Sequence, residues 1–107
     1  MTEVCRIDDL VPERGVGALV DGTPVALFRL ADDRVLAVQQ RDPYSGANVI
    51  SRGIVGDRDG RATVTSPMYR QVWDLTTGEC LDAVGKEPVP LSTYPVTLDA
   101  GAVRIGA

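Results

Sequence analysis

The apolar residues of this chain come in short Val/Leu/Ile-rich runs, and a glycine, a proline or an aspartate soon cuts each one off. Eleven glycines and seven prolines punctuate 107 residues, and they are scattered rather than clustered. Punctuation of that density between short β-branched runs reads as an all-β domain. Taken in order, Glu3 to Ile7 is an opening strand and Asp8 to Gly15 a loop with room for one helical turn. Val16–Val20, Pro24–Leu30 and Val35–Gln39 form an antiparallel meander, with Asp21-Gly22 as a strong hairpin signal. Arg41 to Gly60 loses the alternation, although Asn48-Val49-Ile50 suggests a short element and the apolar residues there argue against disorder. Asp59-Gly60 turns into Ala62–Thr65. A final hairpin, Tyr94–Leu98 with Ala102–Ile105, turns at Asp99-Ala100-Gly101.

A chain of this length makes one domain, residues 1–107. No apolar run approaches a membrane span and no basic segment precedes an apolar one at the start, so the expected location is the cytoplasm, without membrane contact. The net charge of −4 and the pI near 4.6 argue against a nucleic-acid partner, since phosphate binding needs surplus Lys and Arg. Histidine is absent. That removes Ser-His-Asp and Cys-His nucleophilic sites, His-bearing zinc sites and the commonest base near neutral pH. Cys5 and Cys80 read as two buried thiols rather than a disulfide. Asp57-x-Asp59-Gly60 echoes the start of a calcium loop but lacks the downstream acidic ligand, so it reads as a turn.

The stretch Thr65 to Gly78, TSPMYRQVWDLTTG, holds the only tryptophan. It reads as a loop, Ser66-Pro67-Met68-Tyr69, then a strand, Gln71–Leu75, then a turn closed by Gly78. Trp73 is the expected core anchor, because burying an indole removes more apolar area than any other side chain here. This stretch resembles the second cluster-binding loop of Rieske-type iron–sulfur domains, where a C-P-x-H loop leads into an F-D-L strand and a T-G turn. Ser66 stands at the cysteine position and Tyr69 at the histidine position. The earlier C-x-H element has its counterpart in Asp42-Pro43-Tyr44. A Rieske cluster takes two thiolates and two imidazoles, so all four ligand positions (Asp42, Tyr44, Ser66, Tyr69) hold residues that cannot carry it. The resemblance implies a Rieske-like antiparallel β-sandwich, with two loops at a former cluster site and no cofactor or metal in the chain.

Within that superfamily the chain is similar to the small subunit of assimilatory NAD(P)H-dependent nitrite reductase. The similarity runs through Gly15-Val16-x-Ala18-Leu19-Val20, Val25–Arg29, Asp42–Ala47, Ser51–Gly56, Ser66–Tyr69 and Thr77-Gly78-x-Cys80-Leu81. It implies a non-catalytic partner that binds and stabilises or orients a large subunit carrying FAD, an iron–sulfur cluster and sirohaem. The alternatives are a Rieske-fold interaction module of another oxidoreductase system, or an electron-transfer ferredoxin, against which the missing ligands speak.

Charge adds a candidate surface. Residues 41–70 hold five arginines against three aspartates within a chain of net charge −4. Such a face is either a docking patch for an acidic partner or a solvated surface. The expected partner-binding residues are Arg41, Tyr44, Arg52, Tyr69 and Arg70, because Tyr and Arg dominate interface energetics.

Overall fold

Three two-residue turns set the architecture of the computed structural model, which describes residues 1–107. Asp21-Gly22, Asp59-Gly60 and Ala100-Gly101 each place two consecutive residues at positive φ (49° and 84°, 52° and 83°, 51° and 86°). That double left-handed turn matches the twist of antiparallel strands, so each pair closes a tight hairpin. The last one turns on Ala100-Gly101, with Asp99 still in its strand.

The hairpins build three antiparallel sheets. In the first, β1 (Thr2–Arg6) pairs with β11 (Ala102–Ile105), which pairs with β10 (Val96–Asp99). The second is the expected meander, β2 (Gly15–Val20), β3 (Thr23–Arg29) and β4 (Val35–Gln39), extended by β9 (Thr93–Tyr94). The third runs β5 (Ile54–Arg58), β6 (Arg61–Thr65), β7 (Val72–Asp74), β8 (Cys80–Asp82). Short 3₁₀ turns at Ile7–Asp9 and Ile50–Arg52 are the only helical elements.

The meander is the central layer, and its strands explain why. In β3, Val25 to Phe28 are all buried, and consecutive side chains point to opposite faces. Val25 and Leu27 join Val35, Ala37, Val103 and Ile105 in a core against the first sheet. Ala26 and Phe28 join Val38, Ile50, Val64, Trp73 and Leu75 in a core against the third. An uninterrupted apolar run is what a strand covered on both faces requires. Trp73 is fully buried, as expected of a core anchor.

Three expectations change. Ile54–Arg58 forms the strand β5 inside the segment expected to lose alternation, because an edge strand exposed at nearly every position needs no apolar alternation. Pro95 splits the predicted strand Tyr94–Leu98: Tyr94 pairs with Ala37 in the central sheet, while Val96–Asp99 pairs with β11. Proline offers no N–H to a ladder, so the chain changes sheets there. The cysteines are half-buried free thiols in different places, Cys5 against one core and Cys80 against the other.

Candidate functional site

Two loops meet at one end of the layers formed by the second and third sheets. The first leaves β4 and is closed at its neck by a bridge between Arg41 and Asn48 and by the Asp42 N–H donating to the Ala47 carbonyl at 2.8 Å. The second runs from Ser66 to Gln71, its base closed by the Ser66 N–H donating to the Gln71 carbonyl at 2.9 Å. The four ligand-equivalent positions fall on these loops and divide into two kinds.

Asp42 and Ser66 are buried and bonded to each other. Ser66 Oγ donates to Asp42 Oδ2 at 2.5 Å, and Asp42 Oδ1 accepts from the Tyr44 and Ser45 amides at 2.8 and 3.3 Å. The Met68 amide then donates to Ser66 Oγ at 3.1 Å. A buried carboxylate is costly unless its lone pairs are taken, and here both oxygens are.

Tyr44 turns inward. Its ring lies 6.0 Å from the Trp73 ring, tilted by 34°. Its hydroxyl donates to the Glu87 carbonyl at 2.6 Å and accepts from the Val89 amide at 2.9 Å. Trp73 Nε1 donates to the Val89 carbonyl at 2.8 Å, so the peptide groups of Val89 are held by both aromatic side chains. Burial, with Cys80 and Asp42 nearby, pushes the Tyr44 phenol above its ordinary pKa, so it stays neutral. Tyr69 is the opposite case: it is 52% exposed, and Met68 before it is 46% exposed. The two tyrosines at former histidine positions thus do different things, one packing the interior and the other facing solvent.

These four groups do not fit a Rieske cluster. The set offers no thiolate and no imidazole, and the two inner groups satisfy one another. No cluster of three or more His, Cys, Asp or Glu side chains with metal-binding spacing occurs anywhere in the chain.

The turn after β7 accounts for the Asp-Leu-x-Thr-Gly pattern. Asp74 Oδ1 accepts from the Thr76 and Thr77 amides at 2.6 and 3.1 Å, and Oδ2 from Arg61 Nε at 2.7 Å. Burial alone would raise the Asp74 carboxyl. Arg61 and the two amides outweigh it and hold the group below the usual carboxylate value. Gly78 is required by φ of +79° and because a Cβ there would lie 2.1 Å from the Leu91 carbonyl.

Among the expected partner-binding arginines, Arg41, Arg52 and Arg70 are exposed and enter none of the chain's five ion pairs. Arg61, the one member of the 41–70 cluster in an ion pair, is held by Asp74 and Glu79. Arg70 adopts φ of +65°, a conformation that costs a residue with a Cβ about 1–2 kcal/mol. The Gln71 side chain beside it is fully buried and neither amide atom has a partner. Sequence reasoning singled out neither Gln71 nor Arg14, which shares a cleft with Arg52. The signal for Arg14 lay in charge alone, a basic residue before the first meander strand.

Comparison with known proteins gives a consistent result. Residues 1–106 match the Rieske-like [2Fe-2S] domain family. The chain is 34% identical over 104 residues to the nitrite reductase (NADH) small subunit of Escherichia coli K12, covering 96% of this chain and 94% of that protein. It is 37% identical over 103 residues to a segment amounting to 10% of the nitrite reductase [NAD(P)H] large subunit of Klebsiella oxytoca. A solved structure described as the NADH-dependent nitrite reductase small subunit of Mycobacterium tuberculosis superposes with a TM-score of 0.89 at 50% identity. It covers 97% of this chain and 91% of that one.

Proposed function

This chain belongs to the Rieske-like [2Fe-2S] domain family, among the small subunits of NAD(P)H-dependent nitrite reductase, and on that premise we propose that it binds and orients the large subunit. The observation that carries the proposal is identity along nearly the whole length of a small subunit, joined to loops whose residues cannot ligate a cluster. In Klebsiella oxytoca the same domain is a stretch of the large-subunit chain itself, which supports association between the two. The large subunit would carry FAD, an iron–sulfur cluster and sirohaem, and would pass electrons from NAD(P)H to nitrite in the cytoplasm. This chain supplies no redox group to that path. Its contribution is a rigid surface.

The proposed surface is the tip formed by the two loops. Exposed Met68 and Tyr69 supply apolar contact, and unpaired Arg41 and Arg70 supply charge-assisted hydrogen bonds, while Arg52 lies beside Arg14 in an adjoining cleft. Tyr44 serves beneath them as the post that fixes the first loop to Trp73 and Val89. The test is affinity for the purified large subunit, with thermal melts as a folding control. Tyr69→Ala is expected to weaken binding by about 1–2 kcal/mol or more with the fold intact. Arg104→Ala, on the far sheet, is expected to bind as wild type. Equal affinity for both variants would place the interface elsewhere, and absence of any complex would refute the small-subunit role.

A further inference from the structure

The strand β5 is the outer edge of its sheet and pairs with β6 alone. The two-residue turn at Asp59-Gly60 makes Arg58 and Arg61 the hydrogen-bonded pair beside it. Bonded and non-bonded pairs alternate along an antiparallel ladder. Val55 and Asp57 therefore direct their N–H and C=O away from β6, and no other group in the chain bonds them.

An open groove runs along this edge in two adjoining parts. A cleft of about 400 Å³ is bordered by Arg14, Gly15, Ser51 and Arg52, and one of about 200 Å³ lies between Val55–Asp57 and Asp32/Arg34. Glu13 and Val55 border both. Gly15 brings the far wall close, since a Cβ there would lie 2.2 Å from the Ser51 carbonyl.

The two ends differ in charge. At one end Asp32 and Arg34 neutralise each other at 2.9 Å, and the unpaired Asp57 leaves that end negative. At the other, Arg14 and Arg52 have no ion-pair partner, and Glu13 is the one carboxylate that borders their cleft. Ser51 Oγ accepts from Gln40 Nε2 at 2.7 Å, which leaves its own proton free to donate. Ile54, at the start of the strand, is 69% exposed.

We propose that β5 is an acceptor edge for an extended segment of the nitrite reductase large subunit that carries an acidic residue at its Arg14/Arg52 end. The segment adds as a further strand on Val55 and Asp57, covers Ile54, and seats a carboxylate between Arg14 and Arg52. Main-chain bonds of this kind give affinity, while the guanidinium–carboxylate contacts fix the register. Ile54 pairs with Thr65, the residue before Ser66, so this edge is continuous with the tip and one partner covers both. The inference rests on the small-subunit role proposed above.

Amide hydrogen exchange, read at Val55 and Asp57 with and without the large subunit, tests it together with affinity measurements. Exchange at both amides is expected to slow by about tenfold or more in the complex. The double variant Arg14→Glu/Arg52→Glu is expected to bind about tenfold more weakly or worse, and Arg104→Glu, an equal charge change on the far sheet, as wild type. Asp57→Pro removes one outward N–H together with the side chain that accepts from the Gly60 amide. It is therefore read against Asp57→Ala, which removes the side chain alone, and is expected to bind more weakly than the alanine variant. A complex that forms with unchanged exchange at either amide, or with wild-type affinity in the double arginine variant, overturns the acceptor edge alone. Failure of wild type to form any complex overturns the small-subunit role and this inference together.

Discussion

Ser66 donates its hydroxyl proton to Asp42 Oδ2 at 2.5 Å, joining the two tip loops through the side chains at what are cysteine positions in cluster-bearing relatives. A bond between protein groups does here the work of holding the loops together. Ser66→Ala would leave a fully buried carboxylate short of a donor, at a cost of about 1–3 kcal/mol. Chemical denaturation of Ser66→Ala, Asp42→Ala and the double variant should show coupling between the two sites, and additive losses would refute it.

The same substitution leads to a prediction about composition. The purified chain should be colourless, with no stoichiometric iron and no visible absorption of a [2Fe-2S] centre, because neither thiolate nor imidazole occupies the ligand positions. Metal analysis checks this, and iron near two atoms per chain would refute it.

Trp73→Ala should destabilise the domain by about 3–5 kcal/mol, the usual loss for a large buried aromatic. Trp73→Phe should cost less, yet it leaves the Val89 carbonyl without its indole donor. Urea denaturation of both variants separates ring volume from the hydrogen bond.

Acid should find Asp74. Its carboxyl is held below the usual value, so its contribution is fully present above the unfolded-state pKa of about 3.9 and is lost as pH falls through the lower folded-state value. Asp74→Asn should lower the urea midpoint at pH 7 and flatten its decline as pH falls below about 4. An unchanged acid limb would show that another group controls it.

Arg70 is held at φ of +65° on the exposed tip. Arg70→Gly should relieve that strain, with a net gain of up to about 1 kcal/mol once the freer unfolded chain is counted. If Arg70 is kept for docking, the same variant should bind the large subunit more weakly. Thermal melts and affinity on one preparation read both effects, and a gain in both would show that Arg70 has no role in assembly.

Local chemistry was legible in the sequence; long-range placement was less so. Asp21-Gly22 and Asp59-Gly60 declared their hairpins because few residue pairs tolerate two left-handed positions in succession. The meander followed from its spacings, and the two loops from their likeness to a cluster-binding pair. The pairing of β1 with β11 was not visible, since no local signal links residues a whole chain apart. Tyr44 and Tyr69 looked equivalent because their positions in the motif are equivalent. Only three-dimensional packing sends one to Val89 and the other to solvent. Arg14 escaped notice for the same reason, being far in sequence from Arg52, whose cleft it shares.

Thr2 lies opposite Ile105, so the first and last strands are neighbours in the sheet that does not carry the two loops. A linker can therefore join this domain to another polypeptide from that sheet. Tethering would replace a bimolecular encounter with an effective concentration of order millimolar for a short flexible linker. A separate chain must instead be made in step with its partner and hold it by affinity alone. The docking surface proposed above would thus serve at two very different strengths, the weaker sufficing only where the two are covalently joined.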